Sequence, residues 1–137
     1  MSSSPIALVT GANRGIGYEV CRQLAEQGYV ALLGSRDGAK GATAAQALQR
    51  EGLNVVPYEL DVTTVETFES ARAAVEREYG RLDVLVNNAA VNYDTWQRGV
   101  SADLGVVAQT MDANVYGAWR MVQAFLPLRR KSAHRHI

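Results

Sequence analysis

Along the chain, short unbroken apolar runs alternate with stretches in which apolar residues recur at helical spacing. Residues 6–10 (Ile-Ala-Leu-Val-Thr) are almost wholly apolar, as expected of a parallel strand covered on both faces. Ile16, Val20 and Leu24 then mark one helical face over residues 16–27, with Gly28 as its stop. Residues 30–33 form a second apolar run ending at Gly34, and residues 40–50, rich in Ala, Leu and Gln, predict a helix closed by Gly52. Residues 54–60 predict a third strand ending at Asp61. Thr63 or Thr64 can cap the next helix, which runs to Tyr79 and stops at Gly80. Residues 82–86 (Leu-Asp-Val-Leu-Val) predict a fourth strand ending at Asn87. After a polar loop, a long helical pattern runs from about Ser101 through Phe125 to a break at Pro127. The order β-α-β-α-β-α-β-α, with short connections, predicts one open, doubly wound parallel α/β sheet in a single domain over residues 1–137.

Composition narrows the function classes. Fourteen basic residues balance fourteen acidic ones, so no bulk field favours nucleic acid or a membrane surface. The basic cluster at residues 129–137, with His134 and His136, reads as a solvated loop or ragged end. The single cysteine, Cys21, has no internal disulfide partner and falls in a helix pattern, where it reads as a small buried hydrophobe. No zinc-type spacing, basic leader or membrane-length apolar run is present. These features fit a soluble protein of the reducing cytoplasm.

In such sheets ligands bind beyond the carboxyl ends of the strands, where the strand order reverses. The unusual residue clusters fall at those ends. The first is Thr10-Gly11-Ala12-Asn13-Arg14-Gly15-Ile16-Gly17. There Gly11 permits a tight turn, Gly15 lets a pyrophosphate approach the backbone, and Gly17 lets the helix pack on the strand. The helix N-terminus offers N–H groups and a positive dipole end to phosphate.

The spacing is Gly-x-x-x-Gly-x-Gly preceded by Thr, unlike the generic dinucleotide fingerprint. With Asp61-Val62 after strand three and Asn87-Asn88-Ala89-Ala90 after strand four, the chain resembles the short-chain dehydrogenase/reductase family, most of all its carbonyl reductase branch. The resemblance implies a Rossmann-type fold, NAD(P) binding and oxidoreductase ancestry. It also implies that Asp61 hydrogen-bonds the adenine amino group beside Val62, and that Asn88 and Ala89 line the adenosine ribose side and steady the sheet edge. Ala90 stands where the family usually has Gly. Asn114 matches the family's catalytic-tetrad Asn, which helps hold a water for proton relay.

Cofactor choice follows from charge. NAD binders place an acid on the ribose 2′-hydroxyl, whereas a basic residue accommodates the extra phosphate of NADP. Asp37 lies at a tempting distance, but a strand ending at Gly34 makes Ser35 the first residue out, in the acidic slot, followed by Arg36. Arg36 and Arg14 together suit charge-assisted bonds to a phosphate. The expected cofactor is NADP(H).

Carbonyl reduction also needs a proton donor. The family's donor is a Tyr with a Lys four residues later, aided by a Ser. Residues four positions beyond Tyr18, Tyr29, Tyr58, Tyr79, Tyr93 and Tyr116 are Arg22, Leu33, Val62, Asp83, Gln97 and Arg120. None is Lys, and the family's fifth strand would begin about where Ile137 stands. The expectation is a chain cut short after the fourth strand and long helix, inactive alone and marginally stable, because strand four becomes an apolar edge. A small-molecule aldehyde or ketone is the substrate class only if the enzyme is completed. Two alternatives stay open: a non-catalytic NADP-binding or regulatory module, and a half-site completed by another chain.

Overall fold

The computed structural model describes residues 4–91 and 98–133. Four strands, β1 (Ile6–Val9), β2 (Val30–Ser35), β3 (Val55–Glu59) and β4 (Val84–Val86), form one parallel sheet in the order β3-β2-β1-β4. The helices are α1 (Gly15–Glu26), α2 (Gly38–Gln49), α3 (Val65–Tyr79), α4 (Leu104–Met111) and α5 (Ala118–Arg130), with a π-type turn (Asp112–Gly117) joining the last two. The chain builds outward from β1 to β3, then crosses to the other side of β1. The gap between β1 and β4 is therefore the switch point at which such sheets bind ligands.

Both faces of the sheet are covered, which is why the strands read as continuous apolar runs. Ile6, Leu8, Val30, Leu32 and Leu85 face one core with Phe68, Val75, Met121 and Phe125 from α3 and α5. Val9, Ala31 and Leu33 face the other with Cys21, Ala25, Ala45 and Leu48 from α1 and α2. Cys21 is the buried hydrophobe expected from its place in the helix, and burial pushes its thiol up to about 12. Such a group stays protonated and poorly nucleophilic.

The stops also follow the sequence. Gly28, Gly52 and Gly80 all have positive φ, and Gly80 closes α3 by donating to Glu76 and Val75 carbonyls. Thr64 is the N-cap of α3, yet its side chain makes no cap bond. Thr67 instead takes the Asp61 N–H on its hydroxyl oxygen at 2.8 Å.

Three expectations need correction. Pro127 does not end the long helix; it lies within α5, which continues to Arg130. Proline removes one donor near a helix end, and tertiary bonds hold the final turn: Leu82 N–H donates to the Leu128 carbonyl, and Arg129 Nη1 to those of Leu82 and Asp83. Arg129, read as part of a solvated cluster, is thus buried, whereas His134 and His136 lie outside the described residues. The third concerns β2, which runs through Ser35 rather than ending at Gly34.

The sheet's N-terminal end is fastened by Asp83. It is 6% exposed, and its carboxylate accepts from Ile6 N–H at 2.7 Å, from the Ser132 hydroxyl and from Arg81 Nε. One side chain so joins β1, the entrance to β4 and the end of α5. Among the described residues no helix is long and apolar enough to cross a membrane.

Candidate functional site

Thr10, the first residue beyond β1, is buried, and its hydroxyl is saturated. It donates to the Val86 carbonyl and accepts from the Asn88 and Ala89 N–H groups at 3.0 and 2.9 Å. One donor and two lone pairs are all a hydroxyl offers. Asn88 returns the tie, its Nδ2 donating to the Thr10 and Gly11 carbonyls. The segments after β1 and β4 are thereby locked together across the switch point. Replacing Thr10 with the isosteric valine strands two partly buried N–H groups. The expected loss is about 2–3 kcal/mol, read as a fall of roughly 5–10 °C in the thermal midpoint.

The glycines divide the work as their positions suggest. Gly11 has φ +62°, and a Cβ there would stand 2.8 Å from Ala89 Cα. Gly15 has φ +63° with open space before it, so the backbone can be approached. A Cβ on Gly17 would meet Asn88 Nδ2 at 2.4 Å and the Gly11 carbonyl oxygen at 2.7 Å. Arg14 is the N-cap of α1 in extended conformation; its side chain makes no capping bond, and no acid occupies the first turn. Its leading N–H groups and dipole are therefore available to an anion.

These segments open onto a cleft of about 540 Å³, within the usual range for small-molecule sites. Of the residues singled out from the sequence, Gly11, Asn13, Arg14, Gly15, Arg36, Asp61, Val62, Asn88, Ala89 and Ala90 line it together. Ile16, Gly17, Ser35 and Asn114 are not among the lining residues. Ile16 is largely exposed, and Gly17 is the packing contact beneath the turn. Ser35 is 1% exposed and donates its hydroxyl to the Asp37 carbonyl, so its side chain does not occupy the acidic slot. Arg36 is the first residue beyond the strand. Asp37 is accounted for as well: its carboxylate caps α2 by accepting from Lys40 N–H at 3.0 Å.

Asp61 accepts from the Thr63 N–H and hydroxyl at 2.9 and 2.7 Å. Burial alone raises its pKa, but these bonds and the nearby Arg36 outweigh that, holding the carboxyl below its ordinary value. It is an anionic acceptor at the β3 end of the cleft. Asn114 commits both polar atoms of its side chain to Val91, accepting from its N–H at 2.7 Å and donating to its carbonyl at 2.9 Å. It pins the segment after β4 to the π-type turn.

The opposite wall was not foreseen. Gln109, Asp112 and Ala113 line the cleft from α4 and the π-type turn. Helical periodicity marks residues 101–126 as one helix and carries no sign of the extra residue that rotates this wall. The nearest signal was Asp112, an acid two positions before Asn114.

Fold and cleft together define a dinucleotide-type α/β domain with an anion-receptive glycine turn. The chain belongs to the short-chain dehydrogenase/reductase family: the short chain dehydrogenase family profile matches residues 5–135. It is 39% identical to carbonyl reductase (NADPH) 1 of Mus musculus over 132 residues, covering 93% of this chain and 46% of that protein. It is 38% identical to short-chain dehydrogenase/reductase 1 of Saponaria officinalis, covering 89% and 47%. Among solved structures, an alcohol dehydrogenase from the archaeon Thermococcus sibiricus complexed with 5-hydroxy-NADP superposes with a TM-score of 0.87 at 31% identity, over 98% of this chain and 57% of that one. The chain spans about half the length of the curated relatives it matches.

Proposed function

We propose that this chain binds NADP(H) in the cleft between β1 and β4, as the nucleotide-binding portion of a carbonyl-reducing short-chain oxidoreductase. The observation that carries the reading is the pairing of Arg14 and Arg36 on one cleft with an α1 N-terminus that its N-cap side chain leaves uncapped. The fit is chemical as well as spatial. Pyrophosphate meets the α1 N–H groups over Gly15, the 2′-phosphate meets the two guanidinium groups, and adenine lies beside Asp61 and Val62. Asp37, the acid that could have selected NAD, is engaged as a helix cap. The two relatives whose names carry NADPH or 5-hydroxy-NADP lend the same reading support.

When bound, the dihydronicotinamide is the hydride source for reducing an aldehyde or ketone. This chain's own residues bind and orient; no tyrosine in the sequence is followed four positions on by lysine. On this reading the proton donor comes from outside these 137 residues, and they transfer no hydride alone. Asn114 contributes by fixing the Val91 segment.

The test is a titration with NADPH and with NADH, followed by intrinsic fluorescence; Trp119 is exposed on α5 and Trp96 lies outside the described residues. NADPH is expected to bind at least about tenfold tighter than NADH, and Arg36→Asp to remove that preference, since a phosphate then faces an acid rather than a guanidinium. Equal affinities in the unaltered chain would defeat the cofactor assignment.

A further inference from the structure

Arg120 lies outside the cleft lining, on the first turn of α5, yet its guanidinium spans both walls of the cleft. Nη1 stands 3.3 Å from the Val62 carbonyl oxygen and 3.3 Å from that of Asp112, and Nη2 pairs with the Asp112 carboxylate. Val62 belongs to the β3 side and Asp112 opens the π-type turn on the other; both line the cleft. The two walls also touch at Gly117, where a Cβ would stand 2.4 Å from Val62 Cγ2. The walls are close, and one planar cation with several donors ties them. An ammonium group, a single point of charge, reaches fewer of these divergent acceptors.

We propose that Arg120 is a positioning residue for nucleotide binding, setting the width of the adenine end of the cleft by clamping Val62 to Asp112. The inference rests on the NADP(H) reading above. It also explains the π-type turn in functional terms. Such turns are uncommon and recur at functional sites; here the turn presents Asp112 and Ala113 to the cleft and offers the Asp112 carbonyl to Arg120. On the same reading the pyrophosphate falls to the glycine turn after β1, whose residues are not among the acceptors of Arg120.

The test compares the unaltered chain with Arg120→Met, which keeps the aliphatic stem, and Arg120→Lys, which keeps the charge. Equilibrium affinities for adenosine 2′,5′-bisphosphate and for inorganic pyrophosphate are measured well below each melting midpoint. Arg120→Met is expected to weaken the adenine nucleotide about tenfold and leave pyrophosphate unchanged, with Arg120→Lys recovering to within about threefold. Unchanged nucleotide affinity in Arg120→Met overturns the inference, as does an equal loss for both ligands, which would signify general loosening. Should Arg120→Met fail to fold, Arg120→Lys decides alone: a two- to threefold loss confined to the adenine nucleotide supports the clamp, and full affinity rejects it. An unaltered chain that binds neither NADPH nor the bisphosphate defeats the NADP(H) reading itself. Normal binding with an indifferent Arg120→Met defeats only the clamp.

Discussion

Gly17→Ala is expected to abolish measurable NADPH binding and to lower the thermal midpoint, although it adds a single methyl and installs a better helix former. Alanine raises intrinsic helix propensity, so propensity alone predicts a gain. Space decides otherwise. The new Cβ would fall 2.7 Å from the Gly11 carbonyl oxygen and 2.4 Å from Asn88 Nδ2. Asn88 cannot swing aside freely, because that nitrogen donates to the Thr10 and Gly11 carbonyls. Either α1 retreats from the turn or the tie between the two loops breaks. Overpacking of this kind costs about 1–3 kcal/mol. Affinity suffers further, since the phosphate-facing N–H groups ride on the displaced helix. Calorimetric titration and a melt on the same preparation check both parts. A variant that binds as well as the unaltered chain would show that α1 does not need its close seat.

The second large effect is expected at the opposite end of the sheet. Asp83→Asn should cost about 2–4 kcal/mol, because the carboxylate accepts from three donors and a primary amide turns a donor toward at least one of them. Burial pushes the Asp83 pKa upward, but the Ser132 hydroxyl, the Ile6 N–H and Arg81 together hold it below the ordinary carboxylate value. A pKa lower in the folded than in the unfolded chain means that the folded state releases its proton more readily. Its stabilising contribution is therefore full above the unfolded value of about 4 and is lost as pH falls through the folded one. Denaturant melts at neutral pH and below should show the unaltered chain losing stability on acidification and the variant losing less. Parallel acid profiles would mean that some other carboxylate governs the acid limb.

Much of this architecture is legible in the residue pattern because a doubly covered parallel sheet leaves strong marks. Apolar runs with no polar face announce β1 and β2, and glycines with positive φ close α1, α2 and α3. The cleft is legible too, since a glycine turn, Asp61-Val62 and Asn88-Ala89 gather only if the strands are parallel and in this order. The departures share one cause: each is fixed by a specific contact that apolar periodicity does not record, most of them with partners distant in sequence. Pro127 is carried inside α5 by bonds from the start of β4. Arg129 is buried because backbone carbonyls of Leu82 and Asp83 await it. Ser35 turns into the interior beneath Gly41, whose missing side chain leaves it room. The π-type turn at Asp112–Gly117 buries Ala113 and Gly117 at the spacing an α-helix would also give. Only the close seat of Gly117 on Val62 distinguishes it.

The most direct measurement of the central claim is a map of backbone amide shifts on adding NADPH to isotope-labelled protein. The account predicts saturable changes concentrated at Gly11, Arg14 and Gly15, at Arg36, at Asp61 and Val62, and at Asn88 to Ala90, with smaller ones at Asp112 and Ala113. Shifts confined to other surfaces, or none at saturating nucleotide, would contradict the assignment of this cleft as the NADP(H) site.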